Sequence, residues 1–260
     1  MALRPVWSGA LVLAAGLASA GDLTDIKARG TLTVVALHDE EPAMFSFTAG
    51  ANPGFEREMV EGFAKLQGLK IQAIAVKNAD ERFPALLKGQ GDVVIGVIET
   101  EARRKIVDFT VEVLPARHVV VTHKPRKVIG SVGEFLAERV GVLKGSSWAK
   151  VAYDAGVPAD KADSFDDRDQ LLQALRDGKI GATVMSISDF TLATKRFPGL
   201  QGGLFLGDAG RAGWAVRKED TQLKAALNEY LDNLRKGPSW SRLVVKYFGE
   251  QSLSVLGRAR

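Results

Sequence analysis

The chain has 260 residues, 46% hydrophobic and 25% charged, with a formal net charge of +4 at pH 7. That is the composition of an ordinary globular chain, long enough for one large domain or two small ones, and so slight a positive balance does not argue for a nucleic-acid partner. There is no cysteine, which excludes disulfides, a thiol nucleophile, a cysteine-based zinc site and a lipid-anchored N-terminal cysteine.

Met1 to Ala20 reads as a secretory leader. Arg4 supplies the positive start, Val6 to Leu17 is mostly apolar, and Ala18-Ser19-Ala20 offers a small-x-small cleavage site before Gly21. The apolar run is short for a bilayer core of about 30 Å; an uncleaved anchor is the alternative. Cleavage would leave 34 basic against 31 acidic residues, a charge of +3, and would place the chain in the periplasm, with no later segment apolar enough to cross a membrane. The basic residues are scattered, and the one cluster, Lys124-Pro125-Arg126-Lys127, reads as a solvated loop rather than a phosphate-binding patch.

Asp22 to Arg29 predicts a short helix with Leu23 and Ile26 inward, and Leu32 to Leu37 a strand. The loop His38 to Gly50 carries Asp39, Glu40, Glu41, Phe45 and Phe47. It leaves the C-terminal end of a strand, the side on which open α/β sheets bind ligands. Phe55, Met59 and Phe63 recur at helical spacing, with Glu56, Arg57, Glu58, Glu61 and Lys65 assigned to the solvated face. A strand over Leu69–Val76 and a helix over Asp80–Lys88 follow. Gly91 to Thr110 is the most informative stretch. Val93 to Ile98 is short and β-branched, as a buried parallel strand is. Thr100 is placed to cap a helical turn carrying Arg103 and Arg104. The order β-α-β-α-β predicts a parallel sheet.

Downstream, a strand is expected over His118–Thr122, a helix over Ser131–Ala137 and a strand over Arg139–Leu143. Gly145-Ser146-Ser147 opens a helix at Trp148, a helix N-terminus that offers free N–H donors to an anion; Ser146 or Ser147 also reads as a plain cap. A helix is expected within Ser164–Asp177 and another over Ser188–Phe197. Leu204–Leu206 and Ala212–Val216 read as two short strands around Gly207-Asp208-Ala209-Gly210, and Leu223, Leu227, Leu231 and Leu234 as a helix. The three histidines, His38, His118 and His123, do not form a metal set, since an odd spacing in a strand puts His118 and His123 on opposite faces. No HExxH, Walker, GxGxxG or G-x-S-x-G motif is present.

Asp92-Val93-Val94-Ile95, Thr100-x-x-Arg103 and Val107-Asp108-Phe109-Thr110 resemble the signature of the family 3 periplasmic solute-binding proteins, the amino-acid receptors of ABC importers. Gly54-Phe55-Glu56-x-Glu58-Met59, Met44-Phe45-Ser46-Phe47, Val140 to Ser147, Gly178 to Ser186 and Lys246-Tyr247-Phe248-Gly249 are similar to further family segments, so the resemblance runs from Gly30 to Gly249. It implies an α/β, two-lobed type II periplasmic-binding-protein (Venus-flytrap) fold with two hinge crossings. The implied lobes are 21–115 with 210–260, and 116–209. The implied function is delivery of a small carboxylate-bearing solute, an amino acid or related acid, to an ABC permease at the inner membrane. The protein would act by hinge closure, as a monomer, without a cofactor and without catalysis. A sensory or regulatory module, such as the non-catalytic lobe of some lytic transglycosylases, and a periplasmic dehydratase of cyclohexadienyl acids are the alternatives.

The resemblance places the ligand's carboxylate on Arg103, which alternatively forms a structural ion pair with Asp108 or Glu101. It places a backbone carbonyl acceptor at Gly96, the motif's capping threonine at Thr100, donors at Ser146 and Ser147, and a stacking aromatic at Phe45, which reads equally as a core anchor. Asp39 completes the loop side. Two departures bear on the ligand. Ser186 stands where the family's amine-binding aspartate is expected, with Asp189 three residues on, and Ile98 replaces a hydroxyl residue. An ammonium enclosed without an acceptor would be costly, about 2–5 kcal/mol, so the expected ligand is a carboxylate that need not be an α-amino acid. Val111 to Pro115 also departs from the family's Pro-Tyr before the first crossing.

Overall fold

The structure is a computed structural model and describes residues 21–259 apart from 39, 49, 51, 78 and 145. The first helix, α1 (Leu23–Arg29), is capped by Asp22 and stopped by Gly30 in left-handed backbone. Then come β1 (Thr31–Leu37), α2 (Phe55–Leu66), β2 (Lys70–Val76), α3 (Ala79–Leu87) and β3 (Val93–Ile98). Both β2 and β3 pair with β1 in parallel, as expected. The apolar stripe of α2, Phe55, Met59, Val60 and Phe63, is fully buried.

The chain continues through α4 (Glu101–Arg104), β4 (Asp108–Phe109), β5 (Leu114–His123), α5 (Val132–Ala137), β6 (Val140–Leu143), α6 (Ser147–Asp154), β7 (Ala162–Phe165), α7 (Arg168–Arg176), β8 (Ala182–Ser186) and α8 (Ile187–Arg196). The last elements are β9 (Leu200–Val216), α9 (Thr221–Lys236), α10 (Pro238–Phe248) and α11 (Gln251–Arg258). Among the described residues the sheet order is β2-β1-β3-β9-β5-β8-β6-β7, with β4 also on β9. The β5–β9 antiparallel pair therefore joins a β2-β1-β3 half to a β8-β6-β7 half.

Two expectations are corrected and one strand is added. The two short strands around Gly207 are one 17-residue strand, β9. Ala116 pairs with Gly210 and His118 with Leu206, so Gly207, Asp208 and Ala209 bulge opposite Arg117 instead of breaking the strand. The helix expected within Ser164–Asp177 is α7, which begins after Asp167, whose side chain caps it; the strand before it, β7, was not anticipated. β7 lies at the sheet's edge and is only partly buried, so it lacks the apolar run that marks an inner strand. Finally, β5 starts at Leu114, because Leu114 and Pro115 already pair with β9.

Helices α10 and α11 pack on α8. Thr194 donates to the Phe248 carbonyl at 2.9 Å and Arg258 to the Gly202 carbonyl at 2.8 Å. No helix among the described residues is long and apolar enough to cross a membrane.

Candidate functional site

A cavity of about 290 Å³ opens beside the β5–β9 pair. Pro115, Ala116 and Ala212 of that pair line it, with residues from both flanking halves of the sheet.

The wall on the β3 side begins with the loop after β1. Gly54 has φ 102, and a Cβ there would lie 2.6 Å from the Met44 carbonyl oxygen. This close approach lets Phe55 and Glu56 donate their N–H groups to Ala43 and Met44, at 2.8 and 2.9 Å. Met44 thereby faces the cavity. Phe45 turns into the core, 1% exposed, edge-on to Phe47 at 5.4 Å. Phe45 is thus the core anchor, and it is Met44 that meets the cleft.

Glu56 was assigned to the solvated face of its helix; it is 2% exposed and lines the cavity. One of its oxygens, Oε2, accepts from the Gly96 N–H at 2.8 Å and from the Trp214 indole at 3.2 Å. Burial, reinforced by the nearby Glu40 carboxylate, pushes the Glu56 carboxyl up to about 8. Arg82, 7% exposed, reaches the Ile95 and Gly96 carbonyl oxygens at 3.4 and 3.3 Å, and burial lowers its pKa. Gly96 has φ 63, left-handed backbone that a side chain would strain.

The opposite wall is built from helix starts. Ser146 caps α6, accepting from Ala149 N–H at 3.2 Å and donating to the Leu143 carbonyl at 2.7 Å. This leaves Ser147, the first residue of α6, to face the cavity, with its hydroxyl 3.0 Å from His118 Nε2. Burial holds the His118 imidazole below its ordinary range, with Asp189 opposing. Ser186 caps α8 by accepting from the Asp189 N–H at 3.1 Å, and its hydroxyl also bonds the Asp189 carboxylate. That carboxylate pairs with Arg168 at 3.0 Å. Arg117, on β5, lines the cavity with its guanidinium 5.0 Å from the Phe205 ring centre.

Of the residues singled out in the sequence, Gly96, Ile98, Ser147, Ser186 and Asp189 come together in this cavity. Arg103 does not line it. Its guanidinium donates to the Ile98 carbonyl at 2.6 Å and lies over Phe83 at 5.4 Å. Neither alternative ion pair forms, since Asp108 pairs with Lys224 and Glu101 with Lys105. Thr100 caps α4 through the Arg103 N–H and Ser146 caps α6, both outside the cavity lining. Asp39 lies outside the described residues. Glu40, Glu56, Arg117 and His118 line the cavity without having been named as site residues. The sequence did carry one usable signal for Glu56, its place in the first turn of a helix that starts at the ligand side of the sheet.

The family model for bacterial extracellular solute-binding proteins, family 3, matches residues 32–250. The chain belongs to that family. Its fold matches two-lobed periplasmic binding proteins. An ancestral cationic amino acid solute-binding protein superposes with a TM-score of 0.72 at 25% identity, covering 86% of this chain and 98% of that one. The L-cystine solute receptor of Neisseria gonorrhoeae superposes with a TM-score of 0.76 at 20% identity, covering 89% and 98%. In curated sequences, membrane-bound lytic murein transglycosylase F of Pseudomonas putida is 30% identical over 259 residues in strain F1, covering 95% of this chain and 52% of the relative. The Pseudomonas syringae pv. syringae enzyme is 29% identical over 255 residues, covering 95% and 50%. The chain thus spans about half the length of the curated relatives it matches.

Proposed function

We propose that this chain is an extracytoplasmic solute-binding receptor. It closes around a small carboxylate-bearing solute, an amino acid or related acid, and delivers it to an ABC permease at the inner membrane. The lobes are 21–115 with 210–260, and 116–209, and the leader is removed after Ala20. The protein works as a monomer, and binding rather than catalysis is its task. The observation that carries the reading is one cavity lined from both sides of a two-stranded crossing. Bringing the halves together about β5 and β9 would enclose a solute there and strengthen each charged contact by excluding water. Ser147 at the start of α6 supplies hydroxyl and backbone donors for a carboxylate, each charge-assisted bond contributing about 1.5–3 kcal/mol. An ancestral arginine-binding protein bound to arginine, 31% identical with a TM-score of 0.56, supports an amino acid as the ligand class.

The test is a thermal-shift panel of proteinogenic amino acids, keto acids, hydroxy acids and dicarboxylates. A solute at a hundred times its Kd should add about 2.7 kcal/mol. Silence across the panel overturns the reading. A second reading, a sensory or regulatory binding module, is favoured by the match of nearly the whole chain to about half of the transglycosylases. It predicts retention on purified murein sacculi, which a transport receptor would not show.

A further inference from the structure

Helix α10 is rooted in the β2-β1-β3 half of the sheet. Phe248 and Trp240 pack on Phe55 of α2, with ring centres 4.7 and 5.5 Å apart. Gly249, at φ 84, turns the chain from α10 into α11 in backbone that a side chain would strain. Ser252, fully buried, donates to the Phe248 carbonyl at 2.9 Å and fixes α11 to α10.

The other partners of this helix pair lie in the opposite half. Helix α8 follows β8, and the Leu200–Leu206 part of β9 pairs with the same stretch of β5 that β8 does. Thr194 of α8 donates to the Phe248 carbonyl, so that one oxygen takes a hydroxyl from each half. Lys195 donates to the Lys246 carbonyl. Arg258, near the end of α11, donates to the Gly202 carbonyl at 2.8 Å and lies 5.7 Å from the Phe205 ring centre. Below these bonds Phe248, Val255 and Leu256 share one buried apolar cluster with Phe190, Phe197 and Leu200.

These contacts span the crossing, since Gly202 and Phe205 precede the Gly207–Ala209 bulge and Gly210 to Val216 follow it. A rotation of the halves about the crossing cannot keep α11 seated on both. No residue of α11 lines the cavity, yet two paths lead there. Helix α8 carries Ser188 and Asp189 on the cavity at its start and Thr194 and Lys195 at its end. The Phe205 ring under Arg258 also lies 5.0 Å from the guanidinium of cavity-lining Arg117. The halves are arranged as in an open receptor: the TM-score is 0.76 against the unliganded open form of the L-cystine receptor and 0.56 against the arginine-bound ancestral protein. The contacts of α11 therefore belong to the open arrangement.

We propose that α11, with the end of α10, is a latch that holds the two halves open, so that loosening it from α8 and β9 favours closure and tightens solute binding without touching the cavity. This rests on the receptor reading above for its purpose and adds the regulation of that site. A state that binds only when closed gains apparent affinity in proportion to its closed fraction. Anything that draws α11 away would thus act on the cleft from outside it.

The experiment is single-molecule energy transfer on the purified chain with no solute added. The dyes are attached at Lys88→Cys, just past α3, and Lys150→Cys, on α6, both exposed. The latch predicts that Arg258→Ala and Thr194→Val each raise the high-transfer fraction about threefold to tenfold, the range set by one lost hydrogen bond, and that the double variant raises it further. Thr194→Val keeps the side-chain volume and serves if Arg258→Ala melts early. Lys236→Ala, which removes an exposed charge at the end of α9, should stay at the parent level. An unchanged or lowered high-transfer fraction in both latch variants overturns the proposal. The same variants are then titrated with L-arginine or, if it does not bind, with the strongest binder of the thermal-shift panel. Affinity should rise by the same factor as the high-transfer fraction; a raised fraction with unchanged affinity overturns the latch's control of binding. If no solute binds, the receptor reading fails, and the transfer distribution still decides whether α11 holds the halves apart.

Discussion

The two walls of the cavity are made by different means. The β3-side wall is interior: Glu56, Arg82 and Trp214 are all buried, and they hold one another and Gly96 in place. The far wall is a set of helix starts, where Ser146 and Ser186 serve the backbone, Ser147 is exposed, and His118 and Arg117 remain only partly buried. Chemistry of the first kind is tied to folding, because an unpaired buried polar group costs about as much as a core contact. Chemistry of the second kind can be altered while the fold stays intact. Substitutions on one wall should therefore register as stability, and on the other as affinity.

The largest effect is expected from Trp214→Ala. Removing a fully buried indole that also donates to Glu56 should cost about 3–5 kcal/mol in urea unfolding; a loss below about 1 kcal/mol would mean that this wall is not core. Next comes pH. Glu56 lies at about 8 in the folded chain against an ordinary 4.5, so the native state holds the extra proton between those values. Its contribution is greatest below about 4.5 and is lost as pH rises toward about 8. The parent should lose on the order of 3 kcal/mol across that window relative to Glu56→Gln, measured as the difference between the two pH–stability curves. Parallel curves would show that Glu56 titrates normally.

Smaller is Gly96→Ala. A Cβ there would come no closer than 3.8 Å to Glu40, so the cost is conformational, about 1–2 kcal/mol, and Gly96→Asn should recover part of it. The smallest effects separate cap from ligand group. Ser146→Ala should cost about 1 kcal/mol of stability. Ser147→Ala should leave stability within about 0.5 kcal/mol and weaken solute binding, read by thermal melt and titration side by side. Equal stability losses would erase the distinction between cap and ligand group.

Much of the fold was legible because it is periodic. The stripe Phe55, Met59 and Phe63, the apolar run Val93–Ile98 and the cap at Thr100 each announce an element through spacing or a capping residue. What spacing does not carry was missed. β7 is a partly polar edge strand, and β9 continues through glycines because β5 supplies ladder partners on both sides of the bulge. In the site, motif position placed Gly96, Ser147, Ser186 and Asp189 together, but not the direction in which a side chain points. Phe45 and Met44 are neighbours facing opposite ways, and Glu56 is buried by Trp214, 158 residues along the chain. Such contacts are set by packing between distant segments, and no local pattern records them.

The central claim is that the cavity is a binding cleft that closes on its solute. Because the chain has no cysteine, dyes can be attached uniquely after Lys88→Cys, at the exposed end of α3, and Lys150→Cys, on the exposed face of α6. Energy transfer between them reports the separation of the two halves. Adding the solute that most stabilises the chain in the thermal panel should raise transfer to a new saturating level at the same midpoint concentration as the stabilisation. Stabilisation with unchanged transfer, or no stabilising solute at all, would contradict closure around a ligand.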